Sequence, residues 1–416
     1  MKPITILGGG LGGLTLALFL RKQDVPCVVY ELRDENFRKG GDIALSPNAL
    51  RVLDHVGVYG RIRKQGWNYD FVRMISVTGK YLGAHAWGGL NKFHYHCLRI
   101  NRDIVRRELL AEARLQGIPV YLDKKCVGIS EEGEEIVLKF ADGEIVRTEY
   151  LVGADGIHSL TRQFLYPGSF SKYSGLLVAL GHTQKVKLGG SMDGIQLPCM
   201  FVGKNGTFSI LPNSYDGGEI GYFITTDLPD RGPENWALLE KDKGAIVDII
   251  NEVIEDKSWP KFVGDLVKAT HLEDFRTWPF AKVPDLKHWA SKSGRIMLIG
   301  DAAHAIPPAG GQGAASAFED AETLAYVLAR LNLPDSTASG LIGSLQLWET
   351  HRMHRIRQIL DYTIRAGNIR KRSSGIMQVF KEWTIWAMFK LYEYNGGGPA
   401  WIYNYNAESI LEVISK

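Results

Sequence analysis

"ITILGGGLGGLTLALFLRKQDVPCVVYE", residues 4–31, opens on four β-branched or apolar residues, sets five glycines into the six positions from Gly8 to Gly13, and then resumes an almost unbroken apolar run. The first four residues read as a short buried strand, and residues 14–20 as a helix lying against a sheet. Between them, Gly8, Gly10 and Gly13 satisfy G-x-G-x-x-G, with Leu11 inside the loop. The first glycine permits a tight turn, the second lets a pyrophosphate approach the backbone, and the third lets helix and strand pack closely. The helix that follows offers free N–H groups and a partial positive charge to phosphate. A second strand, "PCVVYE", ends on Glu31, about 20 residues past the glycines, where a carboxylate meets ribose hydroxyls. The unit predicts a dinucleotide held on an α/β fold. NAD and FAD share this device.

The rest of the chain sets bounds on that reading. With 416 residues, 45% hydrophobic and 23% charged, it can bury a large core and is expected to form two lobes. A net charge of +3 argues for neither nucleic acid nor a membrane surface as partner. Cys27, Cys97, Cys126 and Cys199 show no C-x-x-C or Cys/His ligand spacing, so reduced thiols and no metal site are expected. The glycines interrupt any signal-peptide core, and the longest apolar run elsewhere, "WTIWAMF" (383–389), is far short of the roughly 20 residues that span a bilayer. A cytoplasmic protein is the expectation. "NGT" at Asn205 then reads as a hairpin turn rather than a glycosylation site.

Two more stretches carry chemistry. "YLVGADGIHSLTR" (150–162) runs a strand into Gly153, then Asp155 and Gly156, then a helix start. "GRIMLIGDAAHAIPPAGGQGAASAFEDAETLAYVL" (294–328) runs a buried strand into Gly300 and Asp301, then a Pro- and Gly-rich loop, then a long helix. That loop again offers bare N–H groups at a helix N-terminus. Asp301 is placed to receive a sugar-phosphate hydroxyl.

Taken together, the three segments resemble the single-component FAD-dependent aromatic hydroxylases, the class A flavoprotein monooxygenases of the salicylate-hydroxylase-like and tetracycline-inactivating kind. Two shorter matches agree: "RKGGDIALSPNALRVLDHVGV" (38–58), like the family's loop over the flavin, and "INRDIVRRELLAEA" (100–113), like its R-x-x-L helix. The resemblance covers most of residues 1–360. It implies that Gly8, Gly10, Leu11 and Gly13 bind the FAD pyrophosphate and Glu31 the adenosine ribose; Arg33 is the one basic candidate after Glu31 for a cofactor contact that would separate NADPH from NADH. It further implies that Asp155 and Gly156 serve FAD and NAD(P)H, that Asp301 holds the ribityl chain, and that Arg102, Gly41 and Ala44 lie near the cofactor. The backbone of Gly311, Gly313 and Ala314 would hold the flavin pyrimidine, where negative charge develops on reduction.

The activity so implied is reduction of FAD by NADPH or NADH, capture of O2 as a C4a-hydroperoxide, and transfer of one oxygen atom to a small organic substrate. A single dinucleotide fingerprint argues against classes with two such domains, and the paired redox cysteines of disulfide reductases and the Trp-x-Trp-x-Ile-Pro signature of flavin halogenases are absent. A flavin oxidase or saturase on the same fold, and a non-catalytic dinucleotide-binding protein, are the competing readings. Where salicylate-like members carry an arginine and a tyrosine, this chain offers Leu180 and Leu211, which suggests a larger, more apolar, polycyclic substrate. His182 and Tyr222 are pocket candidates by strand position alone, each also readable as structural.

The expected organisation is a discontinuous FAD-binding lobe (1–70, 96–170, 285–345), an antiparallel-sheet substrate lobe (71–95, 171–284) and a C-terminal helical region (346–416), as monomer or homodimer. His158 and His304 read as helix-start hydrogen bonders, Trp383, Trp386 and Phe389 as a helix face packed on the protein, and "RAGNIRKR" (365–372) as a solvated basic face.

Overall fold

The computed structural model describes residues 2–37, 40–255, 259–333, 337–394 and 398–414. The opening stretch forms strand β1 (Ile4–Leu7), the helix Leu11–Lys22 and strand β2 (Cys27–Tyr30). With β8 (Val120–Tyr121), β12 (Leu151–Gly153) and β18 (Ile296–Leu298) these strands build a parallel sheet in the order β18-β12-β1-β2-β8. Leu7 is level with both Tyr30 and Gly153, and Gly153 with Leu298. Four strands therefore end on one line, and the loops leaving them share one edge. The apolar run of the first helix is buried nearly all round, with Leu14, Leu16, Leu18 and Leu20 fully enclosed between the sheet and the helix Gly313–Leu328.

Two small antiparallel sheets flank this core. β9 (Cys126–Glu132), β10 (Glu135–Phe140) and β11 (Ile145–Thr148) are joined by tight turns at Gly133 and Gly143, and β3 (Asp42–Leu45), β7 (Cys97–Asn101) and β4 (Trp67–Tyr69) form the other.

The largest sheet has seven strands in the order β17-β13-β16-β15-β14-β5-β6. They are β5 (Phe71–Ser76), β6 (Tyr81–Ala86), β13 (Lys172–Gln184), β14 (Cys199–Gly203), β15 (Gly206–Pro212), β16 (Glu219–Asp227) and β17 (Arg276–Lys282). The turn between β14 and β15 contains Asn205, as expected. The sheet is antiparallel except where β5 lies parallel to β14, because the β5–β6 hairpin arrives from an earlier part of the chain and adds to its edge. Leu177, Ala179, Ile220, Tyr222 and Ile224 face the helices Lys243–Ile254 and Lys261–Ala269. On the other face Leu176 and Val178 pack with Ala309 and Phe280, while Met74 and Val202 meet Ile385 and Phe389 of the helix Gly375–Tyr394.

Two surface expectations change here. Phe389 is 3% exposed, but Trp383 and Trp386 are 59% and 38% exposed: Ile385 and Phe389 are one helical turn apart on the inward face, and the tryptophans point off it. In the basic run, Arg370 turns inward and is buried, because the chain bends there between the helices Ala338–Asn368 and Gly375–Tyr394. All four cysteines are free thiols, three of them buried. Among the described residues no helix is long and apolar enough to cross a membrane, and no group of three or more His, Cys, Asp or Glu is placed to hold a metal ion.

Candidate cofactor and substrate site

The glycine loop leaves the carboxyl end of β1 and is held there by the Gly8 amide, which donates to the Tyr30 carbonyl at 2.8 Å. A Cβ on Gly8 would overlap the Ala154 carbonyl and one on Gly13 would overlap the Gly8 carbonyl, so both positions are fixed by backbone contact. Gly10 is different. Its φ is an ordinary −77°, and no heavy atom lies within 4 Å of where its Cβ would stand. This open cradle sits at the N-terminus of the helix Leu11–Lys22, which no side chain caps and whose first turn carries no acid. Leu11 is buried beneath it. Glu31, just past β2, accepts from the Gly9 amide at 2.5 Å and the Arg33 amide at 2.8 Å, so its carboxylate also shapes the loop. The exposed Arg33 lies over the Phe37 ring at 4.5 Å.

Past β12, the Asp155 carboxylate accepts from Ser159 Oγ at 2.5 Å, Thr161 N at 3.0 Å and Thr161 Oγ1 at 3.1 Å, capping the helix Leu160–Leu165. Burial raises its pKa against these hydrogen bonds, which favour the charged form. Gly156 makes the turn with φ +77°. Past β18, Asp301 opens the short helix Asp301–His304. The two loops are tied by Arg162, which is 1% exposed and donates to the carbonyls of Ile157 (2.5 Å), Ser169 (3.0 Å), Ala302 (3.1 Å) and Asp301 (3.3 Å). Sequence reasoning stopped at the Asp-Gly pair and missed Arg162, although a basic residue seven positions past Asp155 was a visible signal. His158 is exposed, whereas His304 is buried with Nε2 2.5 Å from Asp320 Oδ2.

On the small sheet, Gly41 accepts from the Arg102 amide at 3.2 Å, and Ala44, like Trp67 and Trp87, packs against the buried cluster of Tyr69, Val72 and Cys97. The Arg102 side chain is exposed at the start of the helix Arg102–Leu115. Arg38 and Lys39 of the same predicted loop lie outside the described residues. Trp87 also lies against Gly311, whose φ is +66°. Gly313 and Ala314 begin the helix Gly313–Leu328, again with no side-chain cap at its N-terminus.

A buried polar network fixes that second loop. Gln312 Nε2 donates to Ser46 Oγ at 3.0 Å, and Asn48 Nδ2 reaches Gln312 at 3.1 Å and Glu319 at 2.7 Å. Glu319 also receives Arg352 and Arg355, each at 2.8 Å. Asp320 receives Arg352 Nε at 2.8 Å and the Gly300 amide at 2.9 Å. Burial alone would raise both carboxylates. The arginines hold Glu319 below its ordinary value, and His304 with Arg352 brings Asp320 down to about 2.

Across from the loop, Leu180, Phe223, Ser209 and Met200 follow one another over four neighbouring strands on one face of the large sheet. Leu211 pairs with Gly221, which pairs with His182 on the same face. His182 sits at the rim, 3.8 Å from Asp274. Tyr222 is one residue out of step and so faces the helices, stacked on Phe208 at 5.2 Å with its hydroxyl 2.7 Å from Thr270 Oγ1. It is not brought together with the other candidates.

The model of the FAD binding domain family matches residues 1–179 and 256–360. The chain belongs to this family. As an FAD-binding-domain protein it is similar to the 3-amino-4-hydroxybenzoate 2-monooxygenase of Streptomyces platensis, 27% identical with 98% of this chain and 97% of the relative covered. It is also similar to the 6-hydroxynicotinate 3-monooxygenase of Bordetella bronchiseptica, 26% identical over 86% and 90%. A salicylate hydroxylase substrate complex shares the fold at a TM-score of 0.78 and 21% identity, covering 99% of this chain and 97% of that one, and tetracycline destructase Tet(51) at 0.63 and 18%, covering 94% and 97%. This FAD-binding-domain protein is an enzyme of the FAD-dependent monooxygenase class with the aromatic-hydroxylase fold. The structure fits FAD: the Gly10 cradle leaves room where a phosphate approaches, and two uncapped helix N-termini supply donors.

Proposed function

We propose that this chain uses NADPH or NADH and bound FAD to insert one atom of O2 into an aromatic or polycyclic small molecule. The observation that carries the reading is the common edge. Gly8, Glu31, Asp155 and Asp301 leave four level parallel strands together, and Ala309, just before Gly311, packs beside Leu180 and Phe223 on the face of the large sheet that also carries Leu211 and Met200. Bound FAD supplies the reduction by nicotinamide and the activation of O2; everything else falls to the protein.

In this reading Gly8, Gly10, Leu11 and Gly13 hold the pyrophosphate, Glu31 with Arg33 the adenosine ribose, and Asp155, Gly156 and Arg102 the middle of the cofactor. Asp301 holds the ribityl chain. Gly41 and Ala44 border the flavin ring, and the backbone of Gly311, Gly313 and Ala314 meets its pyrimidine edge, where the helix terminus balances negative charge. Residues 71–95 and 171–284 supply the substrate wall, and its apolar side chains exclude water from the reacting oxygen. His182 stands at the mouth of that wall, and Tyr222 has no role in it.

Stopped-flow reduction under nitrogen tests this. Purified holoenzyme mixed with NADPH or NADH should bleach the flavin, faster when a substrate from an aromatic panel is present. Bound flavin that neither nicotinamide reduces under any condition would favour an oxidase instead.

A further inference from the structure

The helix Gly375–Tyr394 buries Gln378, Ile385 and Phe389 and turns its other side outward. On that side Ile376, Phe380, Trp383, Ala387, Leu391 and Tyr394 follow one another at steps of three or four residues, a single stripe along a helix about 30 Å long. Ile376 and Tyr394, at its two ends, are 85% and 88% exposed, and Val379 and Trp386 widen it on one flank. Among the described residues, the only charged side chains exposed on this helix are Lys390 and Glu393, and they bind each other at 2.6 Å. Monomeric proteins rarely leave so continuous an apolar face in water.

Positive charge gathers in the same part of the chain. Residues 365–394 hold six basic and two acidic residues, a net charge of +4 in a chain whose total is +3, so the rest of the molecule is slightly acidic. Arg370 turns inward and Arg372 pairs with Glu252 at 2.7 Å, but Arg365 and Lys371, in and just after the preceding helix, are exposed. Lys381 donates to the Lys371 carbonyl at 2.9 Å and so ties that turn to the apolar helix. A second copy is a poor match, because a strip about 30 Å by 10 Å falls well short of the ~800 Å² that a stable interface takes from each partner. Apolar rings beside cations suit the boundary between lipid headgroups and acyl chains, where Trp and Tyr settle and each nearby Lys or Arg adds attraction to anionic lipid.

We propose that the outward face of the helix Gly375–Tyr394 is a docking surface for an anionic lipid bilayer. The helix lies in the plane of the membrane with its stripe sunk among the headgroups, Lys371 meets lipid phosphate at its leading end, and the helix does not cross. The overall charge of +3 conceals this surface, because the acidic remainder of the chain offsets part of it.

The test floats flavin-loaded enzyme with vesicles of phosphatidylcholine alone, or of phosphatidylcholine mixed with phosphatidylserine, and follows flavin absorbance into the lipid layer. Wild-type enzyme should float with the mixed vesicles and at least tenfold less with phosphatidylcholine alone. Phe380→Ser combined with Trp383→Ser, both at exposed positions, should keep the flavin content and the denaturation midpoint but weaken binding at least tenfold. Lys371→Glu should weaken binding to the mixed vesicles only. Wild-type enzyme that floats with neither vesicle, or equally with both, overturns the proposal, as does a double variant that binds like the wild type. A stable dimer, seen by sedimentation without lipid and dissociated by the double variant, overturns it as well.

Discussion

Arg162 Nη1 stands 3.3 Å from the main-chain oxygen of Asp301 and 3.1 Å from that of Ala302, while Nη2 of the same buried group reaches Ile157. One guanidinium thereby sets the spacing between the loops that follow β12 and β18. Arg162→Met should lower stability by about 2–4 kcal/mol, because several buried carbonyls lose their donor. It should also weaken FAD binding at least tenfold. Urea denaturation and FAD titration of the apoprotein measure the two effects.

Gly10 allows folding and cofactor binding to be separated. An added methyl meets no protein atom, so Gly10→Ala should change stability by no more than about 1 kcal/mol. In the proposed reading the same methyl enters the space left for the pyrophosphate, so the FAD dissociation constant should rise more than tenfold. Gly13→Ala, whose methyl would overlap the Gly8 carbonyl, should fail to accumulate as folded protein.

The charged cluster behind the second loop is strong only while complete. Arg352→Met leaves Glu319 and Asp320 buried with too few donors and should cost about 3–5 kcal/mol, read as a lowered denaturation midpoint.

Acid should destabilise the protein through two identifiable groups. Burial brings His85 down to about 4 from 6.5, so as pH falls the unfolded chain takes up that proton first. Stability should therefore decline from pH 6.5 towards 4, by roughly 3 kcal/mol at full extent. Asp320 falls from 3.8 to about 2, so its contribution is complete above pH 3.8 and is lost towards pH 2. His85→Gln should flatten the upper window and Asp320→Asn the lower one, in denaturation curves taken across pH.

How much was legible followed the range of the interactions. The strand, glycines, helix and Glu31 lie within one short segment, and turn chemistry and periodicity are local, so that unit could be read directly. The ties of Arg162 to Asp301 and of Asn48 to Glu319 span 139 and 271 positions, and no local pattern announces them. A hint existed in "AFEDAETLAYVL", where Glu319 and Asp320 interrupt an apolar helix. Leu180 and Tyr222 show another boundary: both strands were recognisable, but which face of the sheet each side chain takes depends on pairing parity. Arg370 was hidden by its neighbours, since a run of basic residues does not tell which one the fold turns inward.

Oxygen isotope labelling distinguishes a monooxygenase from an oxidase. The holoenzyme, NAD(P)H and the panel compound that most accelerates flavin bleaching are allowed to react under 18O2, and the product is analysed by mass spectrometry. A monooxygenase should give one labelled oxygen atom per product molecule and consume one NAD(P)H for each. Unlabelled organic product, with O2 recovered as hydrogen peroxide, would contradict the monooxygenase reading.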